Sequence, residues 1–261
     1  MKLGEAMRPL AAGTDWADFA VTEDWLQGRS AFGGLQAAFG VAAMRRLLPA
    51  EVPLRTLQVT FVAPVPVGTV RASAQVLRVG KSATQVEASL RLGEQRVATM
   101  TAVFVTARAS QVAHRPQRPP VPGDEAVLFR YREGVTPAFT QHFAARWRCG
   151  GLPFTGSGTR YTMVELDLLD DGPCCEAHVL ALADYIPPVA LSLLSAPTAG
   201  SSLTWMLELF DSEPARLPLA GWRVDSEMVA AQDGYTSQSN RLWGPDGSLV
   251  ALSRQSMVVF G

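Results

Sequence analysis

A buried-helix pattern followed by four strand-like runs occurs twice in this chain, and that repetition restricts the fold more than any other feature. The first copy begins with GGLQAAFGVAAMRRLL, apolar nearly all round from Gly33-Gly34 to Arg45-Arg46, which predicts a buried rather than an amphipathic helix. LRTLQVTFVAP, VRASAQVLRVG, SATQVEASLRL and QRVATMTAVFVTA follow, rich in β-branched residues, the last two joined by a turn at Gly93-Glu94. The second copy offers ADYIPPVALSLL as its helix, then SSLTWMLELF, GWRVDSEMVAAQDG, YTSQSNRLWG and SLVALSRQSMVVF. Overlaid, Gly34 meets Asp184 at an offset of 150, Phe61 meets Phe210 at 149, Gly80 meets Gly234 at 154 and Val97 meets Val250 at 153. Each copy reads as an antiparallel meander wrapped around one helix.

The copies differ in polarity at two places. Gln255 falls on Ala102 in the last strand, and Asp184 falls on Gly34 at the helix. A glutamine in a strand otherwise suited to burial has a plain explanation, an edge strand with one wet face. Yet a structural demand of the fold should act on both copies, so two polar gains in one copy favour a functional reading.

Between the copies, from Arg108 to about Pro137, the chain is rich in Pro and Arg and has no sustained apolar period, the pattern of a connector. The expected organisation is a unit over 1–108, a connector over 109–137 and a second unit over 138–261. The 261 residues suffice for a sizeable core. Lys and Arg number 23 against 24 Asp and Glu, a balance without the basic footprint of a nucleic-acid binder or a polybasic membrane surface. No apolar run reaches the roughly 18 residues of a membrane span, and the N-terminus has no continuous apolar segment of the signal-peptide kind. Cys149, Cys174 and Cys175 lack CxxC spacing, which fits free thiols in a reducing cytoplasm and argues against a structural zinc site.

RSAFGGLQAA, LQVTFVAPVPVGTV and VLRVGKSATQVEASL in the first half, with LADYIPPVALS and DGSLVALSRQSMVVF in the second, resemble the acyl-CoA thioesterases of the double hot-dog fold, in the thioesterase II (TesB-like) branch. The resemblance covers nearly the whole chain and is weakest from about Ala109 to Pro173. It implies an α+β tandem hot-dog, two antiparallel sheets each wrapped around a central helix, and hydrolysis of acyl-CoA without a cofactor or metal. It also implies a site built by the second half, in which an Asp at the second helix, a Thr on the next strand and a Gln on the last strand hold and activate a water. Asp184 and Gln255 match two of these. Counting back without gaps from Phe210 puts the Thr at Leu203, between Ser202 and Thr204. Thr204 is assigned the hydroxyl, with Ser202 as the alternative, and Gly33, Gly34 and Ser202 are expected against the substrate. Two such bodies are expected to associate as a dimer, since these sheets commonly leave an apolar face or edge to cover.

These residue types suit the chemistry on their own terms. A carboxylate in an apolar crevice is pushed toward general-base strength near neutral pH, while an amide and a hydroxyl can hold a water without competing for its proton. Backbone N–H groups at a helix start polarise a carbonyl oxygen, and Gly33 and Gly34 allow close approach; tight helix–sheet packing explains the glycines equally well. Asp184 also reads as a helix N-cap, with Pro187 and Pro188 in the first turn. No G-x-S-x-G occurs, and His114, His142 and His178 are not expected at a helix start or facing an acid, which removes a Ser-His-Asp triad. Trp147, Trp205, Trp222 and Trp243 are expected in the core or an interface. A non-catalytic acyl-CoA-binding protein that kept the groove is the reading from a different class.

Overall fold

The computed structural model describes residues 1–123 and 125–260. In the first half, β1 (Trp16–Val21) precedes a helix, α1 (Gly33–Arg45), and β2 (Leu54–Phe61), β3 (Gly68–Val79), β4 (Ala83–Leu92) and β5 (Gln95–Val105) follow it. The second half holds β6 (Phe143–Cys149), β7 (Tyr161–Leu168), a helix α2 (Glu176–Ala183), β8 (Gly200–Leu209), β9 (Trp222–Gln232), β10 (Tyr235–Trp243) and β11 (Leu249–Val259).

These strands form one antiparallel sheet in the order β1-β3-β4-β5-β2-β8-β11-β10-β9-β7-β6, with the short strands Ala11–Ala12 and Val127–Phe129 on its two edges. The expectation of two separate sheets is therefore corrected. The halves join where β2 pairs with β8, Leu57 opposite Leu207 and Thr60 opposite Thr204. An unpaired strand edge exposes a row of unsatisfied backbone groups, and each half satisfies the other's. Among the described residues no helix is long and apolar enough to cross a membrane.

Both helices lie on the inner face, each against strands of its own half and against each other. Residues 34–41 of α1 are all buried, as its composition predicts. Small residues permit this. A Cβ on Gly40 would sit 2.1 Å from the Met100 sulfur, and one on Gly34 would sit 3.0 Å from both the Ala181 Cα and the Leu180 carbonyl oxygen. Phe39 stacks on Phe19 at 4.4 Å, closing the core toward β1. The four tryptophans expected inside are buried.

Three details of the sequence reading change. The second helix is not ADYIPPVALSLL but the preceding EAHVLALA; after it, Pro187 and Pro188 lead into a single 3₁₀ turn, Val189–Leu193. Proline supplies no N–H and disfavours a helical residue before it, so the apolar run there cannot propagate an α-helix. Asp184 consequently closes α2 at its C-terminal end rather than opening a helix. Second, His178 does stand in the first turn of α2 facing an acid, its Nε2 3.1 Å from Asp170 Oδ2, and His142 Nε2 lies 3.1 Å from Asp24 Oδ2. Among the described residues no serine is in hydrogen-bond contact with either ring; the Nδ1 of His178 instead accepts the Cys175 backbone N–H at 3.0 Å, tying down the helix start.

The third change concerns register. Leu57 and Val59 are buried in β2, and Trp205, Leu207 and Leu209 in β8. An offset of 149 would place buried Leu57 on exposed Met206, whereas 148 (205 minus 57) keeps the buried faces together. Side chains alternate between faces along a strand, so one residue of slip reverses every assignment in it.

Part of the connector crosses the outer face of the second half. Arg223 donates to the Pro119 carbonyl at 2.8 Å and to Asp225 at 2.8 Å, and the indole of Trp243 donates to Asp225 at 2.8 Å. This buried pair explains why Trp222 through Ser226 are all inaccessible, on both faces of β9.

Candidate active site

α2 delivers Asp184 to the place where the two halves meet, beside the start of α1. Its carboxylate accepts the side-chain N–H of Gln255, whose Nε2 is 2.5 Å from Oδ1, and the nearby backbone N–H of Gly34 favours its charged form. A Cβ on Gly33 would lie 2.7 Å from Asp184 Oδ2 and 3.1 Å from the Phe61 ring. The glycines thus make room for the carboxylate, and the N–H of Gly34, expected to face substrate, also favours the charged form of Asp184. An N–H in the first turn of a helix has no intrahelical partner, which leaves it available to an anion.

The surroundings are apolar. Phe32 and Tyr185 are buried, Tyr185 packs on Phe143 at 4.9 Å, and Asp184 itself is 8% exposed. Burial disfavours the charged form and pushes the Asp184 carboxyl up to about 7; the Gly34 N–H and the Gln255 amide oppose the rise without cancelling it. A small cleft, of about 10 Å³, begins two residues further along the chain, lined by Ile186, Pro187, Pro188, Val189, Trp147 and Ser192.

Gln255 is inward-facing and 1% exposed, between Trp205 of β8 and Gln238 of β10. It is not on an edge strand. Ala102 stands at the matching place in the first half, between Leu57 of β2 and Val86 of β4. In both halves the next strand bulges just beyond the partner of the β4 or β10 residue, after Val76 and after Met228. The shared bulge fixes the correspondence.

The hydroxyl candidates separate cleanly. Thr204 is exposed and pairs with exposed Ser256, so its side chain leaves the sheet on the outer face, away from Asp184 and Gln255. Ser202 is half-buried and pairs with buried Met257, which puts it on the inner face with Gln255. The bulge between them, at Leu203, reverses the alternation. The structure thus brings together Asp184, Gln255, Gly33 and Gly34, puts Ser202 on their side of the sheet, and leaves Thr204 outside.

Sequence reasoning missed a row of buried polar side chains around Gln255. Gln238 Nε2 donates to Gln255 Oε1 at 3.3 Å; one step along, Ser226 Oγ donates to Asn240 Oδ1 at 2.7 Å and Asn240 Nδ2 to Ser253 Oγ at 3.0 Å. The matching first-half residues are Val86 beside Ala102, and Ala74, Ala88 and Met100 in the next row. Extending the overlay beyond the last strand would have shown these gains.

The model of the acyl-CoA thioesterase N-terminal domain matches residues 21–105, and that of the acyl-CoA thioesterase C-terminal domain matches residues 109–259. No curated protein matches the chain. Among solved structures, a conserved hot-dog protein of unknown function from Alicyclobacillus acidocaldarius is similar with a TM-score of 0.87 at 22% identity, covering 99% of this chain and 98% of the other. The tesB protein of Mycobacterium avium subs paratuberculosis gives a TM-score of 0.77 at 14% identity, with 99% and 98% covered. Acyl-CoA thioesterase II TesB2 of Mycobacterium marinum gives 0.75 at 15%, again with 99% and 98% covered. At these identities the structures show the hot-dog fold alone. The two domain models, in order and spanning most of the length, carry the assignment: the chain belongs to the acyl-CoA thioesterase family.

Proposed function

We propose that the protein hydrolyses acyl-CoA thioesters with Asp184 as the general base. The observation that carries this is the state of that carboxyl, buried at the junction of the two halves, raised to about 7, and met by neutral groups among the described residues. A base with a value near ambient pH combines a usable ionised fraction with a real affinity for the proton.

In this reading Asp184 takes a proton from a water as its oxygen bonds to the thioester carbonyl carbon. The tetrahedral adduct then collapses, the C–S bond breaks, and the proton held by Asp184 passes to the departing CoA sulfur. The products are the free acid and CoA. Gln255 orients the carboxylate through Oδ1. Ser202, on the same inner face, is the hydroxyl that would hold the water, in place of Thr204. Burial of the carboxyl, with the Phe61 ring beside Gly33, keeps bulk water from stabilising the carboxylate, which preserves its basicity.

The test is steady-state hydrolysis of a panel of acyl-CoAs of different chain length by the purified protein and by Asp184→Asn. Turnover that Asp184→Asn abolishes supports the reading. Undiminished turnover in that variant refutes the base. Tight acyl-CoA binding without turnover in the wild type would favour the acyl-CoA-binding protein instead.

A further inference from the structure

We infer that Gln238 is a positioning residue for Asp184, acting through the side-chain amide of Gln255; the inference rests on reading Asp184 as the base. A glutamine amide has nearly the same shape with its oxygen and nitrogen exchanged, so its orientation must come from its partners. Here the partners leave one solution. The backbone N–H of Val189 can only donate, and it meets Gln238 Oε1 at 2.9 Å. Gln238 must therefore turn its Nε2 toward Gln255, at 3.3 Å, where it can only donate. Gln255 must in turn present Oε1 to Gln238, which leaves its own Nε2 for Asp184, at 2.5 Å. A chain of three bonds thus carries the polarity of one backbone N–H to the carboxylate.

The polarity matters because the reverse orientation favours the wrong protonation state. A Gln255 donor stabilises the carboxylate, the form a base needs. Turned over, the same amide would offer an oxygen and accept from the protonated acid. In this buried setting the cost of a mismatched donor is high, so the lock need not be strong to be decisive.

Two further observations fit. Gln238 is fully buried in the middle of β10, where an amide needs every partner it has. Its matching residue in the first half is Val86, beside Ala102, so the two glutamines stand together where the other copy has two apolar side chains. Val189 is the first residue after Pro187-Pro188 and opens the 3₁₀ turn, so its N–H would otherwise be an orphan. Gln238 therefore also ties the segment lining the cleft to the base. The groups acting on Asp184 from the packed elements are the Gly34 N–H of α1 and the Gln255 amide of β11, both neutral.

The experiment is the titration of the Asp184 carboxyl carbon by NMR in protein labelled at aspartate, its signal identified by its loss in Asp184→Asn. Gln238→Met, close in size and unable to hold the lock, should raise the Asp184 midpoint by roughly half a pH unit to one unit. The acidic limb of the kcat/KM profile should move by the same amount, with KM little changed. In a Gln255→Ala background the Gln238 substitution should have no further effect. An unchanged midpoint in folded Gln238→Met overturns the inference. Should that variant fail to fold, Gln238→Val, copying Val86, takes its place. In the wild type the Gln255 side-chain amide protons must shift as Asp184 titrates, and amide protons that ignore the titration overturn the inference with no substitution at all. Activity surviving in Asp184→Asn would refute Asp184 as the base separately, leaving the titration result intact.

Discussion

Gly33, in the first half, makes room for the carboxylate of Asp184, in the second: a Cβ there would lie 2.7 Å from Oδ2. Neither half contains this arrangement alone. One contributes the open end of a helix and the other the acid that closes a helix, and the β2–β8 seam holds them in register.

Removing the acid separates function from stability. Asp184→Asn should lower kcat by roughly 100- to 10,000-fold, the usual worth of a general base. Its effect on stability should run the other way. The carboxyl titrates near 7 when folded, against an ordinary 3.8, mainly because it is buried. Between those values the unfolded chain ionises first, so wild-type stability is fullest below about pH 4 and falls as pH rises through about 7, by about 4 kcal/mol at most. Denaturant unfolding at pH 4 and pH 8 checks this: Asp184→Asn should gain on the wild type only at the higher pH.

The glycines at the start of α1 are held by contacts, and each substitution should fail differently. In Gly34→Ala the new Cβ meets backbone atoms of Ala181 and Leu180 at 3.0 Å, so the helices must separate at a cost of about 1–3 kcal/mol. In Gly33→Ala it meets Asp184 Oδ2 at 2.7 Å, so the carboxylate is displaced and kcat should fall more than stability does. Thermal unfolding beside kcat on the best acyl-CoA distinguishes the two.

Gln255→Ala alone should both slow the reaction and weaken the fold, because it leaves a space beside Trp205 and strips Gln238 Nε2 of its acceptor. A loss of about 2–4 kcal/mol is expected. Adding Gln238→Val copies the Val86–Ala102 pair of the first half and removes the stranded amide. The double variant should recover part of the stability and none of the activity. Additive losses in denaturant unfolding would count against this coupling.

Ser202→Ala and Thr204→Ala form a matched pair one bulge apart. Ser202→Ala should reduce kcat by an order of magnitude or more if its hydroxyl holds the water. Thr204→Ala, on the exposed outer face, should leave kcat unchanged and shift stability by less than about 0.5 kcal/mol. The reverse pattern in steady-state assays would restore Thr204 as the hydroxyl.

The strands, the buried first helix and the resemblance between the halves were legible in the sequence because each depends on side chains close together along the chain. Alternating apolar residues mark a strand wherever it ends up, and the run from Gly34 to Val41 has no polar face to leave in water. The paired loss of polarity at Ala102 was legible for the same reason, since a repeat supplies its own comparison. Three things were not. The start of the second helix is one, because LADYIPPVALS is as apolar as EAHVLALA and only the prolines argue against it. The facing of Ser202 and Thr204 is another, because a bulge at Leu203 changes it without any mark in composition. The Gln238–Gln255 pair went unseen since its members are 17 residues apart and touch only across two strands. Local sequence determined which segments are strands and where the buried first helix runs. Tertiary structure alone decided the facing of Ser202, the donor on Asp184 and the polarity of the amide between them, because burial and hydrogen-bond direction are set by atoms distant in the chain.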